Sequence, residues 1–132
     1  MIHSAEEFIR LRQSSVKSEY DRAAHDTAEI QVWLDVIKKY PDVKCWVIHN
    51  KTIQLEILEL LCSDSDPEVR AAVARKRKIN DSIIAVLSVD PDENVRYALL
   101  CNTKLTPDKK SQVKVDDSPW LIEKRDELLS AE

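Results

Sequence analysis

The 132-residue chain contains no glycine. Phosphate-cradling loops, dinucleotide-binding turns and nucleophile elbows all depend on residues that take positive φ or let a ligand approach the backbone closely. Enzyme classes built on those devices are therefore not expected. Cys45, Cys62 and Cys101 are odd in number and far apart, which argues against a disulfide framework and against a zinc site. A reducing cytoplasm is the simplest compartment. No run approaches the roughly 18 apolar residues of a membrane span, the cleanest stretch being residues 83–87. The opening Met1-Ile2-His3-Ser4-Ala5-Glu6-Glu7 has no basic segment followed by an apolar one, so no secretory leader is expected. With a formal net charge of -4 there is no global basic signal, and a nucleic acid would have to be held by a local patch.

What the chain does have is a repeated pattern. DPEVRAAVARK, residues 66–76, has counterparts 26 residues before and after it. Val43, Val69 and Val95 align, as do Lys44, Arg70 and Arg96, then Trp46, Ala72 and Ala98, then Val47, Val73 and Leu99. Leu61, Leu87 and Val113 match in the other half of each unit, and an acidic column runs Asp64, Asp90, Asp116. A more divergent unit lies upstream at a spacing of 24, where His25-Asp26 matches His49-Asn50 and Trp33-Leu34 matches Ile57-Leu58. Self-similarity at such a period marks stacked units that bury their apolar faces against one another. The expected architecture is all-α and a single domain over residues 1–132, with capping helices in 1–25, about four helix-pair units in 26–117 and a closing helix in 118–132.

Local signals support the helices. Ser4 and Glu7 form a capping box before Phe8, Ile9 and Leu11. Further helices are predicted over 16–24 and 29–39, the second carrying Ile30, Trp33, Leu34 and Ile37 and ending before Pro41. Pro67 suits a first helical turn, and Val69, Ala72, Val73 and the stem of Lys76 share the buried face behind it. Thr106-Pro107 and Ser118-Pro119 repeat the same start, although Lys109 and Lys110 stand in the columns of Ile83 and Ile84. Trp33, Trp46 and Trp120 are expected in the core.

Asp66-Pro67-Glu68-Val69-Arg70-Ala71-Ala72-Val73-Ala74 and its echo Asp92-Glu93-Asn94-Val95-Arg96-Tyr97-Ala98-Leu99 resemble the variant leucine-rich repeat, a relative of HEAT and armadillo repeats. The resemblance covers about residues 20–117. It implies a short right-handed α-solenoid of HEAT-like helix pairs, sometimes with one helix tightened to 3-10 geometry. It also implies that the Asp and Arg columns tie adjacent units together, with Asp64 or Asp90 reaching Arg70 or Arg96. One kind of relative carries a cysteine cluster for an iron-sulfur centre; this chain has no such cluster, so no cofactor is carried over.

Charge is sorted between the two kinds of turn. Turns leading into the Val-Arg helix hold Asp64, Asp66, Glu68, Asp90, Asp92, Glu93, Asp116 and Asp117, whereas those leaving it hold Lys51, then Arg75, Lys76, Arg77 and Lys78, then Lys104. Such a distribution complements helix dipoles, each charge contributing about 0.3–1 kcal/mol, but the ARKRK run exceeds that need and suits an acidic partner. A helical wheel turns three columns away from the stack: Cys45, Ala71 and Tyr97; Ile48, Ala74 and Leu100; His49, Arg75 and Cys101. By analogy with HEAT repeats these line the inner surface. The expected partner-binding residues are therefore Tyr97, His49, Arg75, Lys76, Arg77, Lys78, Lys51 and Lys104. His3, His25 and His49 read as structural residues, and no catalytic, metal-binding or cofactor-binding residue is assigned. The function expected is a monomeric, non-catalytic module that holds another protein, a small intracellular inhibitor being one case. The alternative is a nucleic-acid binder related to the HEAT-like alkylpurine DNA glycosylases.

Overall fold

The computed structural model describes residues 1–131, which form ten α-helices and no strand. They are α1 Ala5–Gln13, α2 Lys17–His25, α3 Ile30–Lys39, α4 Lys44–His49, α5 Leu55–Leu61, α6 Pro67–Ala74, α7 Asp81–Ser88, α8 Glu93–Leu100, α9 Pro107–Ser111 and α10 Pro119–Ser130, with a 3-10 turn at Pro41–Val43. The chain divides into two compact units, Met1–Leu58 and Glu59–Glu132. Among the described residues no helix is long and apolar enough to cross a membrane.

Side-chain caps set most of the helix starts. The Glu7 amide donates to Ser4 Oγ at 3.0 Å, and Glu7 Oε1 accepts from the His3 amide at 2.9 Å, one residue before the amide a capping box usually engages. Asp66 and Asp92 accept from the amides of Glu68 and Asn94 at 2.9 and 2.7 Å, so α6 and α8 begin in the same way. Asn80, Thr106 and Ser118 cap α7, α9 and α10. Each such cap contributes about 1 kcal/mol. In the first unit α1 packs on α2 and α3, and α3 on α4. Phe8 meets Trp33 edge-on at 5.2 Å, and Leu11, Val36, Val47 and Ile48 complete the buried cluster. In the second unit α6 lies along α8, α7 packs on both, and α10 covers α8 and α9. Val69, Val73, Ile83, Leu87, Val95, Leu99 and Leu121 are buried there.

Three packing expectations need correction. Ile48, Ala74 and Leu100, expected to face outward, are fully buried. In α6 everything from Ala71 to its end at Ala74 is buried as well as Val69, because a helix of small side chains lets neighbours approach on more than one face. Trp46 is only half-buried and Trp120 is 38% exposed, so of the three tryptophans Trp33 alone belongs to the core. Val43 sits half-buried in the 3-10 turn, unlike its buried counterparts Val69 and Val95.

Two arginines fasten the Val-Arg helices to later turns. Arg70 donates from Nε and Nη2 to the two oxygens of Asp90 at 2.7 and 3.2 Å, and from Nη1 to the Asp64 carbonyl at 2.7 Å. Arg96 donates to both oxygens of Asp117 at 2.8 and 3.0 Å and to the Lys114 carbonyl at 2.6 Å. The planar fork of arginine is what permits this two-point grip. For Arg96 the partner is Asp117, one residue beyond the Asp116 of the acidic column. Hydrogen bonding from Arg96 holds the Asp117 carboxyl below the usual carboxylate range. A carboxyl whose pKa is lower in the folded state stabilises the fold above its unfolded pKa, and that contribution is lost as pH falls through the folded value. Urea unfolding at pH 7 and at pH 3 should therefore show a larger acid loss for the wild type than for Asp117→Asn; equal losses would mean that the Arg96 pair does not couple to folding.

Candidate functional site

Asn102 shapes a cleft in the second unit. It is 5% exposed, and its amide nitrogen donates to the carbonyls of Ala74 and Lys76, both at 2.8 Å, while its side-chain oxygen accepts from the Lys104 amide at 2.9 Å. The segment that leaves α6 is thereby pinned to the end of α8. Asn50 does the same in the first unit, donating to Ala23 O at 2.9 Å and Asp26 O at 3.0 Å. Arg75, the C-cap of α6, and Arg77 are carried by the pinned segment. Asn94, Tyr97, Ala98 and Cys101 recur at spacings of three and four, one face of α8 and its C-cap.

Together with Asn102 and Thr103 these residues line a cleft of about 420 Å³. No carboxylate is among its lining residues. Arg75 and Arg77 make no ion pair among the described residues, in contrast to Arg70 and Arg96. The Tyr97 ring lies 5.0 Å from that of Trp120. A hydrogen bond with the Cys101 side chain, chiefly, pushes the Tyr97 phenol above its ordinary pKa. The site thus offers two forked cations, amide and hydroxyl groups, and a braced aromatic ring.

Three of the eight expected residues, Tyr97, Arg75 and Arg77, meet in this cleft. The other members of the basic run do not line it: Lys76 is half-buried, and Lys78 is exposed with its pKa lowered by partial desolvation. Lys104 is exposed beyond the Asn102 turn. His49 and Lys51 belong to the first unit. There His49 lines a smaller cleft of about 240 Å³ with Arg12, Tyr20 and Trp46, where the Arg12 guanidinium lies 4.8 Å from the centroid of the Trp46 ring. Lys51 is exposed, its amide donating to Ala24 O at 2.7 Å. Asn94 and Thr103 were not foreseen. Asn94 stands three residues before Tyr97 and was legible from helical spacing, whereas the place of Thr103 depends on how the turn after α8 folds.

The two signs of charge are used differently in the second unit. Asp64, Asp66, Asp90 and Asp92 all accept backbone amides at helix entrances or turns. Dipole complementarity at the C-cap accounts for Arg75, but Arg77 lies beyond the helix end and has no such duty. Comparison with protein-family models, with curated proteins and with solved structures returned no match.

Proposed function

We propose that the chain is a non-catalytic protein-binding module, a short right-handed solenoid of HEAT-like helix pairs, which seats an acidic segment of another protein in the cleft between the segment that leaves α6 and α8 with its following turn. The observation that carries this reading is the presence of Arg75 and Arg77, without ion-pair partners, in a cleft whose lining contains no carboxylate. Uncompensated guanidiniums on a turn whose backbone is already pinned attract an anionic segment. The repeat reading is supported by paired features: Asp66 and Asp92 cap alike, and Arg70 and Arg96 each grip a later aspartate.

A second reading has one observation in its favour. The Tyr97 ring beside two arginines suits a stacked base and its phosphate. A glutamate-rich peptide and a single-stranded oligonucleotide of equal charge, titrated at low and moderate salt, separate the two. The peptide is expected to bind, and to lose at least about tenfold in affinity on replacing Arg75 and Arg77 together by alanine. Tighter arginine-dependent binding of the oligonucleotide, with a steeper salt slope, would replace the first reading by the second.

A further inference from the structure

The same cleft has a charge and a shape that narrow its ligand. We propose that it recognises a phosphate monoester carried on a tyrosine side chain of the partner segment; this rests on the protein-binding reading above and names the chemistry of its ligand.

Arg75 and Arg77 bring two guanidiniums to one cleft, and no lining residue is acidic. A single carboxylate matches only one of these cations, whereas a phosphate monoester carries about -1.5 to -2 at neutral pH and three acceptor oxygens. Arginine is suited to that group because its coplanar N–H donors engage two oxygens at once. Asn94 and Thr103, from α8 and the turn after it, add an amide and a hydroxyl as further donors. The donor set therefore exceeds what one carboxylate can use and matches what a phosphate group requires.

The remaining lining determines what the phosphate is attached to. Tyr97 contributes an aromatic ring and Ala98 a methyl group. The Tyr97 ring does not stand alone: the Trp120 ring packs 5.0 Å from it. Offset aromatic contacts favour a flat ring over an aliphatic stem. The volume, about 420 Å³, lies within the roughly 300–1,000 Å³ typical of pockets for single small ligands. It accommodates one large side chain with its flanking atoms, not a folded element. Asn102 holds the backbone of the arginine-bearing turn in place by its bonds to Ala74 O and Lys76 O, so the ordering left for the binding step is that of the side chains.

The test uses the intact protein and five probes measured by calorimetry: a neutral Gly/Ser-flanked phosphotyrosine peptide, its unphosphorylated twin, the twin with glutamate in place of phosphotyrosine, inorganic phosphate, and a 5′-phosphorylated oligonucleotide. The phosphopeptide is expected to bind at least tenfold more tightly than each of the other four. Arg75→Ala and Arg77→Ala should each lose at least tenfold, whereas Lys78→Ala, outside the lining, should leave affinity nearly unchanged; circular dichroism checks that the variants remain helical. A glutamate twin that binds as well as the phosphopeptide, with the same arginine dependence, overturns the phosphate inference and leaves the acidic-segment reading standing. Inorganic phosphate binding as tightly as the phosphopeptide overturns the role of the partner segment. If a 5′-phosphorylated oligonucleotide binds through both arginines and no peptide does, the inference and the protein-binding reading fall together.

Discussion

Arg70→Met is expected to lower the free energy of unfolding by about 3–5 kcal/mol, the usual cost of removing one partner from a buried ion pair. The Asp90 side chain is only 3% exposed and takes two of its hydrogen bonds from Arg70. Without the guanidinium, a buried carboxylate keeps just the Asp92 amide, and the Asp64 carbonyl loses the Arg70 Nη1 donor. Methionine fills much of the vacated volume, so the loss reports charge and hydrogen bonding more than packing. Arg70→Lys restores the charge without the fork and should recover only part of the loss. Urea titration of the three proteins measures this directly; a loss under about 1 kcal/mol for Arg70→Met, the range of an exposed pair, would show that the grip on Asp90 is incidental to stability.

The second large effect concerns Asn102. Asn102→Ala leaves the Ala74 and Lys76 carbonyls and the Lys104 amide without their partner, and an unsatisfied buried group costs about 1–3 kcal/mol. Asn102→Asp is expected to be worse at neutral pH, although it changes few atoms. It removes both donors and sets a carboxylate against two carbonyl oxygens in a site that is 5% exposed. The sign of its pH dependence follows. A carboxyl that resists ionising in the fold has a raised folded pKa, so the destabilisation should ease as pH falls and protonation restores one donor. Thermal unfolding at pH 7 and pH 5 tests this; an aspartate variant as stable as wild type at pH 7 would refute the pinning role. Under conditions where Asn102→Ala remains folded, its affinity for an acidic peptide should also drop, because the turn bearing Arg75 and Arg77 is no longer held.

These two residues mark the limit of legibility. Arg70 was conspicuous because it recurs as Arg96 and stands beside a column of aspartates, and the resemblance to HEAT-type repeats named Asp90 among its partners. For Arg96 the resemblance offered Asp64 or Asp90, and neither is its partner; Asp117 was not readable, since adjacent aspartates in a turn are equivalent until the turn is folded. Asn102 gave less warning: the 26-residue column reads Asn50, Lys76, Asn102, so Lys76 interrupts it, and the role the two asparagines share appears only when both are seen donating to the backbone of a preceding turn. Exposure was misjudged at Ile48, Ala74 and Leu100 because a wheel drawn on one helix cannot tell how many neighbours surround it. Trp120 was placed in the core on size alone, but an aromatic in the first turn of α10 stays partly in solvent, where it packs on Tyr97.

Periodic apolar spacing and cap residues are local properties, and they determined from the sequence alone that the chain is helical and where several of its helices start: Ser4, Pro67, Thr106 and Ser118 were legible as such. Sequence likewise marked Tyr97, Arg75 and Arg77 as surface candidates. Only the tertiary structure decided that these three share a cleft with Asn94 and Thr103, that the neighbouring lysines lie outside it, and that Asn102 holds its floor in place. The physical reason is that a helix start is decided within one turn of chain, whereas a cleft is decided by which turns meet, through hydrogen bonds spanning more than twenty residues.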